Sequence, residues 1–294
     1  MNLFFQLLLN GLVNGAMFAV LATSYGLIYR ATRVFHVAYG AFFVLSAYIL
    51  FRIDYHFPHL PIWLQVLMTI AASGVVGILM ERCIYLPFFL KQRGNAAILV
   101  ASLGMGTVVE HGLALAYGND VQSSSKIWTT HFEFAGLRLT HMQIAEFVSC
   151  TALLALVLFL FRKTRAFKFV WAMGDDPELF AALGKPLQSY RLVAFAFGTA
   201  MAALPASLIF IDGGIQPHAG LHYLLIALVG MLVGGADRMD GWIVGGFTLA
   251  ILQNIVVLFL PTQWMDLVTF SILIILMFRW PRGVLSFRRR VEQS

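Results

Sequence analysis

Charge is scarce in this chain. Charged residues make up 12% of its 294 positions, against roughly a quarter in soluble domains, so an ordinary water-soluble fold is excluded. Cysteine is scarcer still. Cys83 and Cys150 show no metal-ligand spacing and no disulfide framework, and both are expected to be small apolar fillers. No Lys or Arg precedes Arg30, so the basic start of a signal peptide is missing and the first apolar segment is expected to stay as a span. Catalytic motifs are missing too. Gly184-Lys185 matches the end of a phosphate loop, but Leu179 stands where glycine is needed and Pro186 where Ser or Thr is needed. There is no zinc motif, nucleophile elbow or Rossmann glycine pattern. The chain is therefore expected to be no enzyme and to hold no cofactor or metal. Short alternating segments, the mark of a β-barrel, are also lacking.

What is present is apolar. Hydrophobic residues make up 60% of the sequence, and mean hydropathy is +0.82. Apolar segments fall at 5–28, 35–51, 62–80, 96–117, 141–161, 190–211, 219–233, 242–260 and 264–280. Runs near 20 residues span a bilayer as helices. The expected fold is an all-α, polytopic integral membrane protein of about 8–9 transmembrane helices, a single transmembrane domain over 1–294. Segments 35–51 and 219–233 are short, and the second is bounded by Gly220 and Gly234-Gly235. Either is a candidate for a broken or re-entrant helix, tolerated at membrane depth only beside protein or a cavity.

The most informative stretch is a polar island at 162–189, RKTRAFKFVWAMGDDPELFAALGKPLQS, between apolar runs 142–161 and 192–211. Its Lys and Arg residues mark a cytoplasmic face. Alternating outward from it leaves three of the 20 Lys/Arg outside, Arg52, Lys126 and Arg138, and 17 inside. Nine crossings then place the N-terminus outside and the C-terminus inside. The net charge of +6 reads as this bias rather than as nucleic-acid binding. The longest outer loop, 118–140, carries Ser123, Ser124, Ser125, Trp128, Phe132 and Phe134 and is expected to lie at the membrane surface. The tail RWPRGVLSFRRRVEQS reads as a basic cytoplasmic anchor.

Within the island, 175–184 has the chemistry of a two-turn helix. Asp175 or Asp176 caps it, Pro177 suits its first turn, Glu178 complements its positive end, and Gly184 then Pro186 stop it. Leu179, Phe180, Ala182 and Leu183 give it an apolar face. The residues alone leave two readings open: a helix lying on the membrane, or a coupling helix inserted into a partner.

Candidate path residues are few. His36 and Tyr39 share a helix face, and Gly40 permits close approach. They read either as an interfacial pair or as part of a permeation path. Gly104 and Gly106, flanked by Ser102 and Thr107, could expose backbone carbonyls to a zwitterionic solute. Ionisable residues at membrane depth mark functional sites by default. Glu110 is the deepest and His111 adjoins it; Glu146 and Asp266 are shallow enough to snorkel and are expected at the outer rim. Gly11/Gly15, Gly230/Gly234 and Gly241/Gly245 have helix-packing spacing. Pro205 should kink its span. The halves 11–117 and 190–280 each place a short Gly-containing segment after a long span, a weak internal repeat of the transporter kind.

Taken together, these segments resemble the branched-chain amino acid permease family of ABC importers. WAMGDDPELFAALGK resembles that family's cytoplasmic loop, with Ala172, Asp176, Glu178, Ala181 or Ala182, and Gly184 at its pattern positions. GLVNGAMFAVLATSYGLIYRATRVFHVAYGAFFVLSAYI resembles its first two spans, SLGMGTVVEHG its fourth, and LVGMLVGGADRMDGWIVGGFTLAILQ its penultimate region. The order is collinear over nearly the whole chain. Two departures stand out: His36-Val37-Ala38-Tyr39-Gly40 replaces the usual Asn-Phe-Ala-His-Gly, and Trp171 replaces an Arg.

The resemblance implies the translocation subunit of an inner-membrane importer for branched-chain or other small amino acids. Urea, short amides and another small polar solute are the alternative cargoes, and a stand-alone secondary transporter is the rival class. It implies a second permease, two ATPase subunits holding ATP and Mg, and a periplasmic solute-binding protein as partners. It assigns ATPase coupling to Asp175, Asp176, Glu178, Leu179, Ala181, Ala182 and Gly184. The expected solute path comprises His36, Tyr39, Gly40, Ser102, Gly104, Gly106, Thr107 and Glu110.

Overall fold

A computed structural model of the protein describes residues 2–91, 94–124, 131–134, 137–261 and 264–279. Arg93, Ser125, Lys126, Trp128 and the basic tail from 280 onward lie outside them.

Each apolar segment forms a helix. They are α1 (Asn2–Thr32), α2 (Tyr39–His56), α3 (Ile62–Met80), α5 (Asn95–Tyr117), α6 (His141–Lys163), α9 (Leu187–Asp212), α10 (Gly220–Gly234), α11 (Met239–Val256) and α12 (Met265–Arg279). α3 continues through a π turn, Glu81–Tyr85, into α4 (Leu86–Leu90). The island forms α7 (Arg165–Asp175) and α8 (Pro177–Ala182). A 3₁₀ turn, Pro217–Ala219, leads into α10, and a hairpin, β1 (His131–Phe134) with β2 (Leu137–Thr140), precedes α6. That hairpin lies in the loop expected to lie at the membrane surface. Its second strand ends on a capping box: Thr140 Oγ1 accepts from Gln143 N, and Gln143 Oε1 accepts from Thr140 N, both at 3.0 Å. Among the described residues, seven helical runs are long and apolar enough to cross a membrane. α12 is shorter, and α2 carries Arg52 and Asp54 near its end.

Small residues set the packing. α1 is the central helix, buried almost throughout from Val13 onward. It lies against α11, with Gly11 on Ile251, Gly15 on Phe247 and Gly26 on Trp242. α9 lies against α3 in the same manner, with Gly77 on Thr199 and Phe195. Glycine removes the side chain that would hold such helices apart. α9 runs on through Pro205, which is buried within it.

Two further contacts show the plan. A Cβ on Gly40 would run into the Gly220 carbonyl, and one on Gly220 would meet Gly40. α1 turns through 33–38 into α2, and α9, running the opposite way, turns through 213–219 into α10. The starts of α2 and α10 touch reciprocally, each preceded by a long helix and an interrupted turn.

The short segments cross in the same manner. Before α10, His218 bonds Glu110 of α5 and Asn119 just beyond it; after α10, Asp237 bonds Arg30 at the end of α1. α10 starts inside the bundle, where Gly220 meets Gly40, and runs to the end where α1 stops. α2 starts inside it too. The Ala38 N–H donates to Ser102 Oγ at 2.9 Å, and Ser102 lies about 10 Å into α5 at helical rise. Residues 33–38 complete that crossing as irregular backbone, which is tolerated because protein encloses it.

One expectation about cysteine changes. Cys150 is buried, but Cys83 is exposed, because the π turn directs Glu81 and Tyr85 inward and leaves Arg82 and Cys83 outside.

Candidate functional site

The island builds the first part of the site. α7 buries Phe167, Val170 and Met173 against Leu27, Ala31 and Ala194. The cap of α8 is Asp176, whose Oδ1 accepts from Leu179 N at 2.9 Å. Pro177 opens the helix, and Gly184 closes it with φ of +72°, its N–H bonded to Ala181 O at 2.9 Å. Asp175 instead ends α7 and pairs with Arg30. Phe180 is the anchor, buried against Phe169 and Tyr190, while Leu179 and Leu183 are 57% and 68% exposed. Of the apolar face read from sequence, Phe180 turns inward and Leu179, Ala182 and Leu183 face out with Glu178 and Ala181. Beside α8 opens a cleft of about 1070 Å³, lined by Asp176, Glu178, Lys185, Arg191, Phe89 and Asn95 among others.

The second part is a polar stripe on an otherwise apolar exterior. His218 Nδ1 lies 2.6 Å from Glu110 Oε1, and its Nε2 lies 3.2 Å from Asn119 Oδ1. One turn along, His222 Nδ1 lies 2.6 Å from Asp266 Oδ1. The four side chains of these His–carboxylate pairs are between 33% and 57% exposed. Gly104, Thr107 and His111 share the exposed side of α5. Ionisable groups cannot face lipid cheaply at this depth, so this face belongs against protein or water.

The expected path residues divide. Gly104 meets open space, and Thr107 and Glu110 stand beside it on the stripe. Gly106 instead abuts Ala38. His36, Tyr39, Gly40 and Ser102 are interior. His36 Nδ1 lies 2.7 Å from Tyr85 Oη, Tyr85 Oη donates to Ser102 Oγ at 2.8 Å, and Tyr39 Oη lies 2.6 Å from Ser24 Oγ. Ser102 thus caps the start of α2 from a neighbouring helix, a device with no local signature. Of the two residues expected at the rim, Asp266 is exposed and joins the stripe, whereas Glu146 is buried in α6. Burial wins because Glu146 points into the bundle rather than along the helix toward water.

Two ionic groups went unread in the sequence. Arg191 Nε donates to Glu81 Oε1 at 2.5 Å, a buried pair whose guanidinium lies 4.4 Å from the Phe89 ring centroid. Arg30 is 3% exposed and holds both Asp175 and Asp237, the latter at 2.6 Å. Such pairs join positions far apart in sequence. The one available signal is an arginine near the end of an apolar helix, Arg30 in the last turn of α1 and Arg191 close to the start of α9, which positive-inside counting absorbs.

Comparison with known proteins agrees with this architecture. The sequence profile of the permease component of branched-chain amino acid transport systems matches residues 7–277. The chain is 27% identical to the high-affinity branched-chain amino acid transport system permease protein LivH of Escherichia coli K12, over 99% of this chain and 97% of that one. It is 26% identical to the permease protein BraD of Pseudomonas aeruginosa PAO1, over 99% and 98%. Identity to the probable permease LivH of Methanocaldococcus jannaschii is 22%, over 88% and 83%.

Proposed function

The chain belongs to the branched-chain amino acid transport system permease family, and from that premise we propose that it is the translocation subunit of an ATP-driven importer. Its cargo is a branched-chain or similar small amino acid. A second, similar permease, two ATPase subunits and an external solute-binding protein complete the assembly. ATP and Mg act in the ATPases, and this chain does no covalent chemistry.

The observation that carries the reading is α8. It is a capped helix with its anchor, Phe180, buried and its apolar residues Leu179 and Leu183 presented outward. A helix lying on lipid would not need a rigid tie to the bundle, whereas one that transmits force does. The positive-inside bias places α8 in the cytoplasm, with the N-terminus outside and the C-terminus inside. Closure of the ATPases on ATP would move α8 and switch the path between faces.

The solute path lies along the stripe of Gly104, Thr107, Glu110, His218, His222 and Asp266, where the second permease covers it. His36 and Tyr39 serve it from behind by fixing the start of α2. A stand-alone secondary transporter needs an enclosed proton relay. The exposure of both His–carboxylate pairs favours a path completed by a partner instead.

The test is reconstitution with the cognate ATPases and binding protein, measuring leucine uptake and ATP hydrolysis together. Gly184→Val strains the left-handed stop and Glu178→Lys opposes the helix dipole. Both should abolish uptake and its stimulated ATP hydrolysis while the protein still inserts. Unchanged uptake in both variants removes the coupling role of α8.

A further inference from the structure

One side chain ties together three segments that sequence keeps far apart. Arg30 stands in the last turn of α1 and is 3% exposed. Its Nη2 donates to Asp175 Oδ1, and its Nη1 donates to Asp237 Oδ1 at 2.6 Å. Asp175 immediately precedes the cap of α8. Asp237 lies in the turn between α10 and α11. The guanidinium also sits 4.8 Å from the Trp171 ring centroid, and Trp171 packs on Trp242 of α11 at 5.5 Å.

Arg33 repeats the tie. Its Nη1 lies 3.0 Å from Asp237 Oδ1, and its Nε donates to Gly174 O at 2.9 Å. Arg33 has φ of 55°, the one non-glycine residue in the left-handed region among the described residues. That backbone is disfavoured for arginine, so the ties select it. Gly174 is equally constrained, since a Cβ there would run into the Arg30 carbonyl.

From Asp237, α10 leads back as an unbroken helix to His222, with His218 in the 3₁₀ turn before it. These are the histidines paired with Asp266 and Glu110. A continuous line therefore runs from α8 through Asp175, Arg30 and Asp237 along α10 to the polar stripe. Arginine suits its pivot, because the planar fork holds two carboxylates in fixed directions. The two aspartates suit movement, because they are 64% and 63% exposed and rehydrate when released. Either aspartate can let go at low cost while the other still neutralises Arg30, which suits a two-state tie of the kind that coupling at a distance requires.

We propose that Arg30 is a positioning residue that transmits displacement of α8 to α10, and so to the Glu110–His218 and Asp266–His222 pairs. This rests on the reading of α8 as the coupling helix. Without this tie, α8 still moves with the ATPases through its outward Leu179 and Leu183, but α10 does not follow.

Spin-label distances in the assembled complex, with and without ATP plus vanadate, test this independently of the cargo. In a Cys83→Ser, Cys150→Ala background, one pair is Ala182→Cys with Leu90→Cys and reports α8. The other pair is Leu221→Cys with Trp63→Cys and reports the far end of α10. Nucleotide should shift both distances in the wild type. Arg30→Gln and Asp237→Asn should retain the α8 shift and lose the α10 shift. A purely structural ion pair would lower yield or thermal stability yet leave both shifts. Retention of the α10 shift in Asp237→Asn, or its absence from the wild type, overturns the proposal. Absence of the α8 shift from the wild type instead removes the coupling reading itself. Should Arg30→Gln fail to assemble, Asp237→Asn decides, because it alters an exposed side chain and leaves Arg30 paired with Asp175.

Discussion

Arg30 and Asp237 lie 207 positions apart in the chain and meet as an Nη1–Oδ1 ion pair of 2.6 Å. The pair is lopsided: the cation is buried and the carboxylate is mostly in water. Asp175 shares the same cation. Either aspartate alone still neutralises Arg30.

That sharing predicts non-additive stability. Asp175→Asn and Asp237→Asn should each cost under about 1 kcal/mol, as exposed partners do. Together they leave a buried guanidinium without a counter-charge, and the double variant should lose about 2–4 kcal/mol. Thermal unfolding of the four proteins of the cycle, in one detergent, measures the interaction. Simple addition of the two single effects would show that the aspartates do not share the cation.

The Glu81–Arg191 pair predicts an asymmetry. Glu81 is fully buried and accepts from Arg191 Nε, while Arg191 also borders the cleft beside α8. Arg191→Met strands a buried carboxylate and should cost about 3–5 kcal/mol. Glu81→Gln leaves an arginine that can draw water from the cleft, and should cost about half as much or less. Equal losses in a melting experiment would contradict this geometry.

Two glycines predict opposite outcomes for one substitution. A Cβ on Gly40 collides with the backbone of Gly220, whereas Gly104 meets nothing within 4 Å. Gly40→Ala should drive the starts of α2 and α10 apart and sharply reduce folded yield. Gly104→Ala should be neutral or stabilise by up to about 1 kcal/mol through helix propensity. Gly104→Leu should leave yield intact yet block leucine uptake. Full uptake with Gly104→Leu would remove this face of α5 from the path.

Topology is checked by thiol labelling of intact cells with an impermeant reagent. The background carries Cys83→Ser, since Cys83 is exposed. Ser124 is a poor outer reporter despite its loop position, because it is buried and donates to Asp54. Asp120→Cys, at an exposed position, should react from outside. Lys168→Cys and Lys185→Cys, both in the island, should react only after the membrane is opened. Reaction of either lysine position in sealed cells reverses the orientation.

The helices and the shape of α8 were legible in the sequence because their causes are local. An apolar run near 20 residues must satisfy its own backbone in lipid, and only a helix does so. The capping chemistry of Asp176, Pro177 and Gly184 acts within a few residues, so the stop at Gly184 follows from its neighbours alone. Even so, sequence left Asp175 and Asp176 as equal caps. The structure separates them because Arg30, from another helix, takes Asp175.

Other positions were decided only when helices met. Sequence alone puts His36 and Tyr39 on one helical face, suited to a path as well as a core, but His36 lies in the irregular segment 33–38 and only Tyr39 is on α2. Packing against α1 and α5 sends both inside, with Tyr85, Ser102 and Ser24 as their partners. Gly104 and Gly106 are two residues apart, yet one faces open space and the other abuts Ala38, since two steps of a helix turn a residue more than halfway round. His218 and His222 carry no motif. They become part of a site because α5 and α12 bring Glu110 and Asp266 to them.

Sequence by itself determined the membrane-spanning class, the number and order of the apolar helices, the bias of charge and the form of α8. Each depends on transfer from water or on hydrogen bonds within one turn. The tertiary structure decided which polar residues are exposed, which are buried as ties, and that Arg30 joins α1 to the end of α7 and to the turn after α10. Those outcomes depend on which helix faces meet, and contacts across 207 positions leave no imprint on the local pattern.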